Sequence, residues 1–351
     1  MIATAVQTVQ KNVQEYYGET LQSSADLKTS ACCPIDSMPA HILPYLKKVH
    51  AEVQEKFYGC GSPIPLALEG MTVVDLGCGT GRDAYILSQL VGKHGKVIGV
   101  DMTEQQLNVA KKHIDYHMKA FGYAKPNVTF HHGYIEDLKK IGIADNSVDV
   151  VVSNCVINLS ADKEAVFREI FRVLKPGGEL YFSDIFAGRR VPESLKHDKE
   201  LLGECLGGAM YTEDFRRMMQ SIGCNDFRIM SKGRVALNDP VIEQKAGMVD
   251  FYSITVRAFK CDLEDTCEDH GHVVTYKGTL ANAPHALRLD DHHLFKTGMP
   301  ERVCGNTWKM LMESRFAPYF ASIGDFSTHY GLFDCAPSTG NESNAPAGAC
   351  C

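Results

Sequence analysis

The chain has 351 residues, 44% hydrophobic and 23% charged, a composition that excludes wholesale disorder and a collagen-like fold. Its 36 basic and 43 acidic residues leave a formal net charge of −7, so bulk charge gives no hold on nucleic acid or on an anionic membrane surface. No uncharged apolar run approaches the roughly 18 residues that span a bilayer, and the opening stretch MIATAVQTVQKNVQEYY lacks the basic start and solid apolar run of a signal peptide. Thirteen cysteines form an odd count below the roughly 8–10% of disulfide scaffolds. We therefore expect a reducing compartment, the cytoplasm, with most thiols reduced.

In chain order, apolar residues at Ala5, Val6, Val9 and Val13 predict an amphipathic N-terminal helix, followed by the loop Thr29-Ser30-Ala31-Cys32-Cys33-Pro34. A second helix is expected near 44–56, ahead of Tyr58-Gly59-Cys60-Gly61. From Gly70 the pattern turns α/β. Strands are predicted at 72–76, 96–100, 128–131, 148–153 and 179–183, with helices at 83–91, 103–121 and 163–174 between them, the arrangement of parallel βαβ units. Residues 184–211 are too long for a plain loop and read as a helical insert or lid. A helix at 212–220, stopped by Gly223, and strands at 226–237 and 251–259 complete the sheet. The chain then changes character: 262–269 holds five acids in eight positions, and 261–335 reads as a small appended α+β domain. Residues 336–351, APSTGNESNAPAGACC, read as a tail.

The segment Val73-Val74-Asp75-Leu76-Gly77-Cys78-Gly79-Thr80-Gly81-Arg82-Asp83 runs from an apolar strand through a glycine turn into a helix. Such a turn sits at a strand's carboxyl end, where α/β sheets bind ligands. A dinucleotide fingerprint would need its third glycine at the position of Arg82, so the pattern is a different one. Asp101 lies twenty residues after Gly81, placed to accept from both hydroxyls of a ribose. Gly133-Tyr134-Ile135-Glu136-Asp137 follows the next strand and offers an acidic turn to an adenine edge, and Leu174-Lys175-Pro176-Gly177-Gly178 ends a helix. DLGCGTG, VDM and LKPGG in this order resemble the class I S-adenosylmethionine-dependent methyltransferases. That resemblance implies an α/β, Rossmann-like, seven-stranded mixed sheet with helices on both faces and a reversed last strand. The methyl donor, S-adenosylmethionine, would lie across the strand ends. It implies donor contacts from Tyr58, Asp75, Gly77, Gly79, Gly81, Asp101, Met102, Ile135, Glu136 and Asn154, with the Tyr58 ring near the sulfonium.

Strand 148–153 runs into Asn154-Cys155-Val156-Ile157-Asn158-Leu159, which puts a cysteine where the methyl group would emerge. Cys32, Cys60 and Cys205 lie in segments able to cover the same mouth. Clustered thiolates select soft, thiophilic centres, and zinc is disfavoured because no C-x-x-C pair occurs. Burial as small hydrophobes is the competing reading of any cysteine. It is taken for Cys78, Cys224, Cys304 and Cys335. Cys261, Cys267, His270 and His272 meet no standard ligand spacing. Together with the donor motifs, VQEYYG, KTSAC, YGCG, SNCVINL, GECLGGA, YKGTL and VCGNTWKML resemble the arsenite methyltransferases over about residues 10–335.

This second resemblance implies that Cys32, Cys60, Cys155 and Cys205 are catalytic thiols. Cys155 and Cys205 would bind As(III), joined by Cys60 when the substrate is inorganic arsenite. It further implies a protein disulfide, with Cys32 and Cys60 the candidate pair and Cys33 next door, reopened by thioredoxin or glutathione. The substrates implied are arsenite or its glutathione conjugates and methylarsenite, handled by a monomer with neither nucleic acid nor membrane as partner. The implied division is an N-terminal arm at 1–60, a methyltransferase domain at 61–260 with the lid at 184–211, the module 261–335 and the Cys-ended tail. An As(III) lone pair carries no proton, so the lack of a His/Asp dyad beside Cys155 is consistent. Two other readings stand open: a carbon or oxygen methyltransferase of a sterol, quinone or phenol, and a non-catalytic protein that sequesters metalloids through thiols.

Overall fold

In the computed structural model, residues 38–57, 59, 61–196, 198, 201 and 205–335 are described. The expected helix at 5–17, the loop at 29–34 with Cys32 and Cys33, Tyr58, Cys60 and the tail with Cys350 and Cys351 lie outside the described residues. So do 197, 199, 200 and 202–204 of the insert.

Two short helices, α1 (Leu43–Leu46) and α2 (Ala51–Glu55), stand where one was expected. The break falls at His50, which is extended. Its Nδ1 accepts from the Glu52 amide at 3.2 Å, and its own amide donates to Nε2 of His117 at 3.1 Å. A side chain that caps a helix start cannot also continue the helix before it. The chain then alternates: β1 (Thr72–Leu76), α3 (Arg82–Leu90), β2 (Lys96–Asp101), α4 (Glu104–Lys112), α5 (Ile114–Phe121), β3 (Val128–His132), β4 (Val148–Asn154), α6 (Lys163–Val173) and β5 (Leu174–Ala187). The expected helix at 103–121 is divided at His113, whose amide bonds back only three residues, to Ala110, and whose Nε2 lies 2.7 Å from the Glu52 carboxylate.

After β5 come α7 (Glu193–Lys196), β6 (Met210–Tyr211), α8 (Thr212–Ser221), β7 (Phe227–Arg234), α9 (Pro240–Ala246) and β8 (Phe251–Phe259). The strand order is β3-β2-β1-β4-β5-β8-β7, with β6 beside β5. Strands β1 to β5 pair in parallel, and β8 runs antiparallel to both β5 and β7, so the reversed strand is present. β5 is longer than expected at both ends. Its Lys-Pro-Gly-Gly start bulges against β4 between Val148 and Val150, and the Gly177 amide donates to the Lys260 carbonyl at 2.8 Å. Residues 184–187, read from sequence as part of the insert, continue β5 as far as the pair Ala187–Phe251.

Strands buried on both faces read as continuous apolar runs, and side chains alternate between the two sides. Val74 and Leu76 of β1 face one core with Val166, Phe167 and Ile170 of α6 and Phe215 of α8. Val73 faces the other, with Tyr85 and Ile86 of α3 and Leu107 of α4. Helices therefore cover both faces, and the sheet's carboxyl edge is left for the site.

Residues after 260 form the three-stranded sheet β12-β9-β13 (Pro300–Val303, His272–Tyr276, Phe320–Ile323), the hairpin β10–β11 (Ala286–Arg288, Leu294–Lys296) and α10 (Gly305–Met312). Buried charges fasten this module to the main sheet. Glu179 of β5 pairs with Arg257 of β8 at 2.6 Å and with Arg315. Arg228 of β7 pairs with Asp226 at 2.7 Å and with Asp290 at 3.3 Å. Removing one member of such a pair strands its partner's charge, at a cost of about 3–5 kcal/mol. Among the described residues no helix is long and apolar enough to cross a membrane.

Candidate active site

A cleft of about 980 Å³, open mouth included, lies at the carboxyl ends of β1, β2 and β4. Here the strand order switches direction between β1 and β4, the place where open α/β sheets take ligands.

The glycine turn after β1 forms one wall. Gly77 has φ +70°, and a Cβ there would lie 2.2 Å from Cγ2 of Val156, so neither the backbone conformation nor the space admits another residue. Its amide donates to the Val100 carbonyl at 2.8 Å, which ties the turn to the end of β2. Asp101 reinforces that tie. Oδ2 accepts from the Gly79 amide at 2.9 Å and Oδ1 from the Thr103 amide at 2.8 Å. Each oxygen retains lone-pair capacity for a hydroxyl donor. Burial pushes the Asp101 carboxyl up despite these bonds.

Asp75, on the cleft wall and 3% exposed, has an Oδ2 with no hydrogen-bond partner. Burial first, then the charges of Asp83 and Asp101, raise its carboxyl well above the usual range. A buried carboxylate oxygen lacking a donor fits a ligand that brings a cationic centre. Met102, Ile135 and Glu136 also line the cleft, and Glu136 accepts from Oγ of Ser160 at 2.6 Å. This wall fits a cationic, ribose-bearing methyl donor.

Asn154 ends β4 and knots the entry segment to the sheet. Its Nδ2 donates to the Gly61 carbonyl at 2.8 Å and to Asp83 at 3.0 Å, and its Oδ1 accepts from the Gly61 amide at 3.1 Å. Arg82 pairs with Asp83 and stacks its guanidinium 3.0 Å from the Phe57 ring centroid. The residues on either side of the undescribed Tyr58 and Cys60 are thus tied to the mouth of the cleft.

The opposite wall is apolar and carries sulfur. Cys155 follows Asn154, lines the cleft, is 6% exposed and is disulfide-bonded. Cys205 is a thiol, 5% exposed, with its Sγ 3.5 Å from the Cys155 carbonyl oxygen. The two share a backbone peculiarity. Cys155 has φ +56° and Cys205 φ +62°, two of the four described non-glycine residues in the left-handed region. That conformation costs a β-carbon residue about 1–3 kcal/mol and persists only where the surroundings dictate it. Leu159, Ile185, Val191, Leu201, Leu206 and Phe251 wrap both cysteines, with Met102 packed against the group. Gly208 lets the Cys205 turn settle onto the strand end: a Cβ there would lie 2.0 Å from the Asn158 carbonyl oxygen.

Behind the thiols lie buried Asp184 and half-buried Lys163, both missed by the sequence reading. Asp184 is pushed up to about 7 by desolvation, a rise its hydrogen bonds from the Ile185 and Asn158 amides offset only in part. Lys163 is pulled down to about 8 by desolvation, opposed by the charges of Asp184, Glu136 and Cys205. Asp184 was findable, because it follows the core of a strand at its carboxyl end as Asp101 does. Lys163 carried no signal, since a lysine opening a helix reads as solvated.

Sequence reasoning joined Cys267 with Cys261, His270 and His272. In the structure the Cys267 sulfur instead lies with those of Cys304 and Cys335, all within 4.8 Å of one another. Residues distant in the chain meet there through packing that no spacing rule encodes.

A family model described as "Methyltransferase domain" matches residues 67–223, and one described as "Arsenite methyltransferase C-terminal domain" matches residues 269–329. The chain is 54% identical over 325 residues to an arsenite methyltransferase of Aquipseudomonas alcaligenes, covering 92% of this chain and 93% of the relative. It is 44% identical to the human arsenite methyltransferase over 313 residues, covering 89% and 83% of the two chains. The crystal structure of an arsenic(III) S-adenosylmethionine methyltransferase from Chlamydomonas reinhardtii superimposes with a TM-score of 0.82 at 49% identity, covering 85% of this chain and all of that one.

Proposed function

Since the chain belongs to the arsenite methyltransferase family, we propose that it methylates trivalent arsenic held by thiolates of Cys155 and Cys205, with Cys60 as a third ligand for inorganic arsenite. The observation that carries this reading is the pair of left-handed cysteines, Cys155 on the lining of the donor cleft and Cys205 beside it with its sulfur 3.5 Å from the Cys155 carbonyl oxygen. S-adenosylmethionine, when bound, supplies an electrophilic methyl group on a sulfonium. Asp101 would hold its ribose, Asp75 would face its positive charge, and Glu136 and Ile135 would flank its base. Tyr58 is assigned to the same ligand.

Arsenite enters with hydroxyls or glutathione thiolates on arsenic. Each protein thiol that displaces a hydroxyl forms one As–S bond and releases one water, which carries off the thiol proton. Asp184, pushed up to about 7, and Lys163, pulled down to about 8, set the charge behind this exchange. Apolar packing around Cys155 and Cys205 excludes competing water, and their constrained backbones fix where the arsenic lone pair points. Orientation of this kind is worth effective molarities of roughly 10⁵–10⁸ M. No base is required, because the lone pair bears no proton.

Methylation formally oxidises arsenic from III to V. A further thiol attacks one arsenic-bound sulfur. An S–S bond forms, the As–S bond breaks, and its electron pair returns to arsenic as a lone pair, so arsenic gains the two electrons that the sulfurs lose. Cys32 and Cys60 are the proposed disulfide pair, reopened by thioredoxin or glutathione. The disulfide at Cys155 supports membership of that sulfur in the same redox set, and it makes reduction a precondition of arsenic capture. The segment after residue 187 is the proposed cover over the thiols.

The test is a time course of arsenic products from arsenite and from methylarsenite, with donor and a thioredoxin system, for the wild type and the Cys155→Ser, Cys205→Ser and Cys32→Ser variants. Cys155→Ser and Cys205→Ser should abolish both reactions, and Cys32→Ser should damage the first methylation more than the second. Undiminished methylation in Cys155→Ser and Cys205→Ser refutes the thiol-ligand mechanism.

A further inference from the structure

Three sulfurs far from each other in sequence meet at one point of the C-terminal module: Cys267, Cys304 and Cys335. Backbone pairing brings them there. The Gly305 amide donates to the Glu268 carbonyl at 2.9 Å, the Asp269 amide to Gly331 at 2.8 Å, and the Phe333 amide to Cys267 at 2.8 Å. Residues 267–269 are thus clamped between the start of α10 and the chain that leads to Cys335. Cys304 caps α10, with its Sγ accepting from the Thr307 amide at 3.4 Å, and it hydrogen-bonds to the other two thiols. None of the three is in a disulfide. Cys267 and Cys304 are buried, and half-buried Cys335 leaves a way in.

We propose that this cluster is a second binding site for trivalent arsenic, holding one As(III) on three thiolates. Three As–O bonds of arsenite break and three As–S bonds form. The three thiol protons leave with the hydroxyls as water, and no electron changes hands. Three sulfurs complete the pyramidal demand of As(III), whereas a structural zinc ion takes four donors, and the described residues supply three. The cluster is also joined to the buried ion pairs that hold the module: the Arg228 guanidinium, paired with Asp226 and Asp290, lies close enough for Cys304 and Cys267 to act on it and donates to Oγ1 of Thr307 at 3.2 Å. The site stands whether or not Cys155 and Cys205 hold the reacting arsenic.

The experiment uses the reduced full chain carrying Cys60→Ser, Cys155→Ser and Cys205→Ser, so that the proposed catalytic ligands are gone. It is incubated with arsenite and desalted, and arsenic per chain and As–S coordination are measured by elemental mass spectrometry and X-ray absorption. We expect arsenic bound to three sulfurs and retention reduced at least tenfold on adding Cys335→Ser, with donor binding intact as the check of fold. Cys304→Ala gives a second, independent loss; should it fail to fold, Cys335→Ser at the half-buried edge still decides. Retention that ignores Cys335→Ser overturns the proposal, as does stoichiometric zinc that depends on the three cysteines. Failure of the catalytic reading shows separately, as methylation that survives Cys155→Ser in an otherwise unaltered chain.

Discussion

The two walls of the cleft are built on opposite principles. The donor wall is polar backbone and carboxylate: a glycine turn tied to Asp101, with Asp75 buried and short of a donor. The sulfur wall is apolar and strained, with Cys155 and Cys205 in left-handed backbone and wrapped by aliphatic side chains. The first recognises a ligand by hydrogen bonds that many acceptor chemistries could share. In the proposed mechanism the second holds a soft atom and shields it from water, and the choice of substrate resides there. If that division is right, damage to one wall leaves the other's function largely intact.

The sharpest way to break it is at Cys155. Cys155→Ser should lower methyl transfer to methylarsenite by on the order of 10³-fold or more, since oriented delivery is lost. Donor affinity, measured by calorimetry, should stay within about twofold of wild type. Asp101→Ala should do the reverse. Losing the acceptor of two backbone amides and a ribose should weaken donor binding roughly 10–100-fold while arsenic retention is kept. Gly77→Ala tests the turn itself. Strain at φ +70° and the clash with Val156 should cost about 3 kcal/mol of stability, read in denaturant melts, and lower donor binding with it.

Two smaller effects sharpen the sulfur side. Gly208→Ala should push the Cys205 turn off Asn158, raising KM for the arsenical several-fold with donor binding unaltered. Asp184 carries a sign that can be checked. Its folded-state pKa, near 7, lies above the ordinary carboxylate value of 3.8, so the native chain binds the extra proton between those limits. Stability from this group is therefore present at low pH and lost as pH rises toward 7. Asp184→Asn should gain stability relative to wild type across that interval in paired melts. A variant whose relative stability does not move with pH would show that Asp184 stays ionised.

The same contrast explains what the amino-acid sequence disclosed. β1, the glycine turn and Asp101 are local patterns, and strand alternation fixed the seven main strands to within a few residues apart from the ends of β5. Cys155 was legible because it closes a strand at the sheet's ligand edge. Cys205 lies fifty residues further on; the sequence put its segment over the same mouth, but no spacing set it beside Cys155, and its role came from resemblance. The helix break at His113 goes with a contact to Glu52 from another helix, and the break at His50 with an amide that reaches His117, neither of which local propensity reports. Lys163, Asp184 and the three sulfurs of the C-terminal module are likewise products of tertiary packing.

A single-turnover experiment decides whether Cys155 and Cys205 present the reacting arsenic. Reduced chain preloaded with one equivalent of methylarsenite is mixed with methyl-labelled S-adenosylmethionine, quenched, and the label on arsenic counted. Wild-type chain should carry close to one labelled methyl per chain, and Cys155→Ser and Cys205→Ser should react at less than about a hundredth of that rate. Equal label on arsenic at equal rates in all three chains would contradict that role.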